Sequence, residues 1–129
     1  MNNLLFSALI AATFAAPSHA LAERRCLPGG FLADEQVQIA ICMTVGIPAQ
    51  NGDLLIVATN PIRTSIDIIA KCEVSILDKT FKSGGVAFQM RPNKPVDQYI
   101  IEPQMAESLQ YAFVTNNPPP VASCEIARF

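Results

Sequence analysis

Among its 129 residues the chain has no tryptophan and one histidine, His19. The missing tryptophan removes the buried indole that packs on the inter-sheet disulfide of antibody-type domains. The histidine lies in an amino-terminal segment that reads as a secretory signal peptide. An apolar run from Leu4 to Ala16 is followed by Pro17 and then by the small-x-small sequence Ala20-Leu21-Ala22. Cleavage after Ala20 or Ala22 would leave residues 23–129 as a single domain without an imidazole. Ser-His and Cys-His nucleophile pairs and imidazole metal sites are then excluded.

Positive charge is also scarce where a leader usually carries it. Only Met1, Asn2 and Asn3 precede the apolar run, and Arg24-Arg25 follow it. The competing reading is a membrane anchor. The run is shorter than the roughly 17 to 25 residues of a spanning helix and Pro17 ends it, so the leader is preferred, with no transmembrane span after cleavage. A twin-arginine signal would have to precede the run. Cys26 follows Glu23-Arg24-Arg25 rather than small apolar residues, which argues against lipid attachment.

Charge of one sign is not concentrated anywhere. The net charge is -2, and the basic residues Arg63, Lys71, Lys79, Lys82, Arg91 and Lys94 stand singly. There is no electrostatic case for nucleic acid or an anionic membrane as a partner. Aromatic residues make up 7% of the chain, too few to supply both a core and a stacking platform for bases or sugars. No C-x-x-C pair occurs, which speaks against a compact zinc knuckle or a thioredoxin-like redox site. Ser83-Gly84-Gly85 reads as a turn rather than a phosphate cradle, because no helix pattern follows it. Asn51-Gly52-Asp53 has one carboxylate, fewer ligands than calcium requires, and also reads as a turn. No cofactor is expected.

What the mature chain does have is short runs of Ile, Val, Thr and Phe between Gly, Pro and Asn, the pattern of an all-β protein. Gln36 to Val45 alternates, with Val37, Ile39, Ile41, Met43 and Val45 on one face. Asp53 to Thr59 follows the Asn51-Gly52 turn. Thr64 to Leu77 sets Ile66, Ile68, Ala70, Cys72, Val74 and Ile76 against Asp67, Lys71, Glu73 and Ser75. Thr80 to Lys82 and Val86 to Arg91 read as two short pieces joined by the Gly84-Gly85 turn. Gln98 to Glu102, Ser108 to Val114 and Val121 to Ala127 complete the set. Two segments have a helical alternative: Ala33 to Met43, and Pro103 to Phe113, where Met105, Leu109, Ala112 and Phe113 fall at helical spacing. The strand is preferred in both, because β-rich surroundings make it the more consistent choice. The expected fold is an immunoglobulin-like antiparallel β-sandwich of about seven strands.

The four cysteines, Cys26, Cys42, Cys72 and Cys124, allow three pairings. Cys72 shares a face with Ile68, Ala70 and Val74, and Cys124 with Ala122 and Ile126, so both thiols point inward and could bridge the sheets. Cys42 lies on the more polar face of its strand, and Cys26 sits in an irregular segment beside Leu27-Pro28-Gly29-Gly30. Parity therefore prefers Cys26 with Cys42 and Cys72 with Cys124, the nested pairing being the main competitor. Structural disulfides suit an exported chain.

Carboxylates remain as catalytic material: Asp34-Glu35, Asp67, Glu73 and Asp78. Asp67 and Glu73 share a strand face with Lys71, the pattern of a solvated sheet surface. Asn116-Asn117-Pro118-Pro119-Pro120 reads as a stiff connector to a last strand ending at Phe129. Glu125 shares the Phe129 face, which argues against a lipid-facing barrel strand. The functional expectation is a periplasmic or secreted, non-catalytic protein that binds a protein or other envelope macromolecule. An envelope-assembly component and an inhibitor of a secreted hydrolase both fit. The alternatives are a carrier of a small apolar ligand and a carboxylate-dependent hydrolase.

Overall fold

Alternation of apolar side chains along the strands builds both layers of the protein. The computed structural model describes residues 23–32, 36–45 and 52–129, so the leader, Asp34-Glu35 and Asn51 lie outside the described residues. Among the described residues seven strands and one helix follow in order: β1 (Glu23–Phe31), β2 (Gln38–Val45), β3 (Leu54–Thr59), β4 (Ile66–Ile76), β5 (Lys79–Met90), β6 (Val96–Glu102), α1 (Glu107–Thr115) and β7 (Val121–Arg128). They form an antiparallel sandwich, immunoglobulin-like in its two-layer architecture. One sheet has the order β1-β2-β3-β6 and the other β5-β4-β7.

Every second residue of β4, from Ile66 to Ile76, is buried. On the facing sheet Ile39, Ile41 and Met43 of β2 and Leu54, Ile56 and Ala58 of β3 are buried with them. Phe88 and Met90 of β5 fill the same layer. Each such aliphatic or aromatic side chain withdrawn from water contributes about 1.5–3 kcal/mol, which is why the inward parity of these strands is strongly specified. Ile76 pairs with Lys79 across a two-residue turn, where Leu77 has φ 57° as the first residue of a II′-class hairpin requires.

Four expectations need correction. Ser108 to Val114 is not a strand but part of α1. Met105, Ala112 and Phe113 are buried and Leu109 packs against the core, whereas Tyr111 is 72% exposed; a strand would have put Tyr111 inward with Leu109 and Phe113. Asn116, in the left-handed conformation at φ 59°, ends the helix. The two pieces around Ser83-Gly84-Gly85 are one strand, β5, paired with β4 along its whole length. The glycines mark a register shift opposite Cys72 and Glu73, with Gly84 at φ 70°, so the doublet supplies a bulge instead of a turn. The segment holding Cys26 is not irregular: it is β1, bulged between Pro28 and Gly30. Finally, Cys72 and Cys124 are cross-strand partners on β4 and β7, so their bridge lies within one sheet and does not join the two layers.

The layers are closed at one side by a close approach of β1 to β7. A Cβ placed on Gly29 would lie 2.8 Å from the Cys124 Sγ, so only glycine fits there. At one end, Gly52 at φ 61° donates its N–H to the Thr44 carbonyl at 2.9 Å and accepts from the Met105 N–H at 2.9 Å. That exchange ties the start of the helical segment to β2.

Candidate functional site

The four cysteines form the bridges Cys26–Cys42 and Cys72–Cys124, and each joins neighbouring strands at a directly opposed pair. No thiol is free for nucleophilic or redox chemistry in this state. Cys42 faces outward on β2, yet it is buried there with Leu55 and Val57 of β3. The outer face of the four-stranded sheet is therefore apolar at its centre.

Of the carboxylates proposed for catalysis, the described ones, Asp67, Glu73 and Asp78, are not brought together; Asp34-Glu35 lie outside the described residues. Asp67 accepts from Arg91 Nη1 at 2.7 Å. Glu73 lies six residues further along the same strand, about 20 Å at the usual rise and beyond the about 5–9.5 Å separation of paired glycosidase carboxylates. Asp78 sits in the turn after β4. Among the described residues no three His, Cys, Asp or Glu side chains converge as a metal site. No described helix is long and apolar enough to cross a membrane. The space between the sheets is occupied by buried side chains, including Phe88, Ile41, Met43, Leu54 and Ile56.

Two surfaces remain as candidates. The first is a half-open depression of about 320 Å³ on the outer face of the three-stranded sheet, rimmed by Lys71, Glu73, Lys82, Ser123 and Glu125. It exists because Gly84 puts no side chain over the bulge. The Ser83 hydroxyl accepts from the Cys72 N–H at 3.0 Å and donates to the Gly84 carbonyl at 2.7 Å, which stabilises the bulge. Register places Lys71 opposite Glu125 and Glu73 opposite Lys82, with Glu73 diagonal to Glu125. Alternating signs on adjacent strands describe a hydrated sheet surface as readily as a ligand site.

The second is β6 and the outer face beside it. Val96, Tyr99 and Ile100 are 44%, 43% and 49% exposed, although large apolar side chains usually mark a buried strand. Next to them the Arg24 Nη2 donates to Gln98 Oε1 at 3.1 Å. Since β2 and β3 lie between β1 and β6, this bond is a strap across the outer face. Leu55 and Val57 beneath it are only 6% and 8% exposed.

Ladder parity shows which way the β6 backbone points. Antiparallel pairs alternate between those that exchange two main-chain hydrogen bonds, with Cα atoms about 5.5 Å apart, and those that exchange none, about 4.5 Å apart. The Cys26–Cys42 Cα separation of 4.0 Å marks the second kind. The N–H and C=O of Cys42 therefore face β3, and those of its partner Leu55 face β2. Ile100 and Gln98, opposite Leu55 and Val57, must then turn theirs to the open side of the sheet. Val96 follows by the same period. In accord with this, the Gln98 N–H is taken up locally by Asp97 Oδ1 at 2.9 Å.

Comparison with protein-family models, curated proteins and solved structures gives no match.

Among the described residues the two sheets have four edge strands, and each carries some protection against pairing. β1 has Arg24, Pro28 and a bulge, and lies against β7. β5 has Lys79, Lys82 and a bulge at Gly84. β7 is covered on its side by β1. β6 has Pro95 before it, a register shift at Leu54/Leu55 and β5 of the other sheet against it, but among the described residues it pairs only with β3 and carries an exposed stretch of Val, Tyr and Ile. Sequence reasoning missed this surface. The β-propensity of Val96 to Glu102 was legible, but its position at the edge of the sheet was not.

Proposed function

We propose that the protein is an exported, periplasmic or secreted, non-catalytic interaction protein, acting in envelope assembly or as an inhibitor of a secreted hydrolase, and that it engages its partner through β6. The observation that carries this reading is the edge strand itself: exposed Val96, Tyr99 and Ile100 beside outward-facing main-chain groups. Strand addition at such an edge draws affinity from main-chain hydrogen bonds and specificity from alternate side chains. Two disulfides and a leader sequence support export, since such bridges persist in oxidising compartments.

A photo-crosslinking residue at position 100, expressed in the native host, tests the surface. The expected result is a discrete adduct with another chain that is absent when the probe replaces Ile69, an exposed aliphatic residue on the outer face of the other sheet. Equal labelling at both positions, or none at either, refutes the assignment. Mass measurement of the mature amino terminus tests export: an intact Met1 in the accumulated protein would overturn it.

A second reading is a carboxylate-dependent hydrolase using Glu73 and Glu125, which are diagonal neighbours at the depression on the opposite sheet. Turnover of a defined glycan or ester that disappears in Glu73→Gln with the fold intact would support it. Unchanged turnover would remove it.

A further inference from the structure

The open side of β6 has a backbone geometry that selects among occupants. Its outward-facing N–H and C=O groups belong to Val96, Gln98 and Ile100, spaced at period two. Beyond Ile100 the register shift at Leu54/Leu55 reverses this parity, so Glu102, opposite Leu54, faces back to β3. The usable edge is therefore a three-site comb centred on Gln98. Its ends carry opposite charges, Lys94 before the strand and Glu102 at its close.

We infer that the occupant of this edge is a second copy of the same chain, paired antiparallel through β6 about a two-fold axis at Gln98. This names the partner for the reading of β6 as the interaction strand, and rests on it.

The register follows from the comb. With the axis at Gln98, Val96 lies opposite Ile100 of the second copy, Gln98 opposite Gln98 and Ile100 opposite Val96. All three pairs are then of the kind that exchanges two main-chain hydrogen bonds. An axis at Tyr99 would align only Gln98 with Ile100 and its symmetry mate, leaving Val96 opposite the inward-turned Glu102. The antiparallel arrangement also sets the Lys94 end of each copy beside the Glu102 end of the other, whereas a parallel one would bring like charges together. On the outer face, Val96 and Ile100 of each copy become cross-strand neighbours and cover one another, which accounts for their exposure in the single chain. The arrangement is isologous, so it closes at two copies and builds no fibre.

Asp97 has a defined part in this. Its carboxylate occupies the Gln98 N–H in the single chain and lies 3.8 Å from Lys94 Nζ. On pairing, the Gln98 carbonyl of the second copy replaces it at the N–H. Asp97 therefore occupies the edge while the protein is alone.

The test is sedimentation of the mature, oxidised protein over a concentration series, comparing wild type with Gln98→Pro, Gln98→Ala and Ile100→Lys. Proline at an edge position whose N–H faces outward leaves the β3 ladder whole, so Gln98→Pro should fold and weaken the dimer at least about tenfold. Gln98→Ala loses the Arg24 strap but keeps the N–H, and should dimerise like wild type. Ile100→Lys should be monomeric, and it decides the matter if the proline variant does not fold. A wild type that stays monomeric throughout the series overturns the inference, as does a folded Gln98→Pro or Ile100→Lys that dimerises undiminished. A monomer whose position 100 still crosslinks to a different protein in the host would sink self-pairing and leave β6 as an interaction strand. A monomer with no crosslink would sink both.

Discussion

Removing either disulfide should destabilise the protein, and removing Cys72–Cys124 should cost more. The two bridges close loops with sequence separations of 16 and 52, and the loops do not overlap. Chain entropy assigns the shorter about 3 kcal/mol and the longer about 4 kcal/mol. The comparison is well matched, because each bridge has one nearly inaccessible sulfur: Cys42 is 1% and Cys72 is 2% exposed, so substitution by alanine removes similar buried volume. The difference of about 1 kcal/mol then reflects mainly the unfolded chain. The assay is urea unfolding of the Cys26→Ala/Cys42→Ala and Cys72→Ala/Cys124→Ala proteins beside wild type, each without reductant. Removing all four cysteines should cost about 7 kcal/mol in total, comparable with the whole stability of a domain of this size, and leave it largely unfolded. A larger loss from the Cys26–Cys42 pair would refute the entropic reasoning. So would a fully reduced protein as stable as the oxidised one.

Three further outcomes follow from local geometry. Gly29→Ala places a methyl against the Cys124 Sγ where β1 meets β7, and should cost about 1–3 kcal/mol in thermal or urea unfolding, with loss of that amount absent from Gly85→Ala, whose added methyl makes only an ordinary 3.5 Å contact with Ile69. Gly52→Ala combines a positive φ with a Cβ 2.4 Å from Gln110 Nε2, and should cost about 2 kcal/mol and loosen α1, read as faster amide exchange over the helix. Asp67→Asn breaks the pair with Arg91, but both side chains are more than a third exposed, so the loss should be about 1 kcal/mol or less and should shrink further in high salt.

Legibility differed sharply between elements. β4 alternates cleanly, and its inward parity is visible from Ile66 to Ile76 because one face meets water and the other does not. β1 shows no such pattern: Glu-Arg-Arg-Cys-Leu-Pro-Gly-Gly-Phe contains charges, a proline and two glycines, and becomes a strand only by pairing with β2 around its bulge. α1 was ambiguous because Leu109, Tyr111 and Phe113 satisfy period two while Met105, Leu109, Ala112 and Phe113 satisfy the helical period. Docking of the latter set on the core decided between them. The Gly84-Gly85 doublet has one composition and two uses, turn or bulge, and the choice depended on whether β4 was long enough to pair past it. For the candidate surface, the residues of β6 were readable as a strand, but their exposure was not.

By itself, then, the amino-acid sequence determined the β class, the inward faces of the long strands, and the scarcity of imidazole and clustered charge that narrows the chemistry. These are local properties, set by composition and by the period of the backbone. The tertiary structure decided which strands are neighbours, and with that the placement of Cys72–Cys124 within one sheet, the strap from Arg24 to Gln98 and the open edge at β6. Strand order had to wait for the fold because hydrogen bonds between strands join residues far apart in the chain, and a strand's own pattern tells which face is buried but not which edge is free.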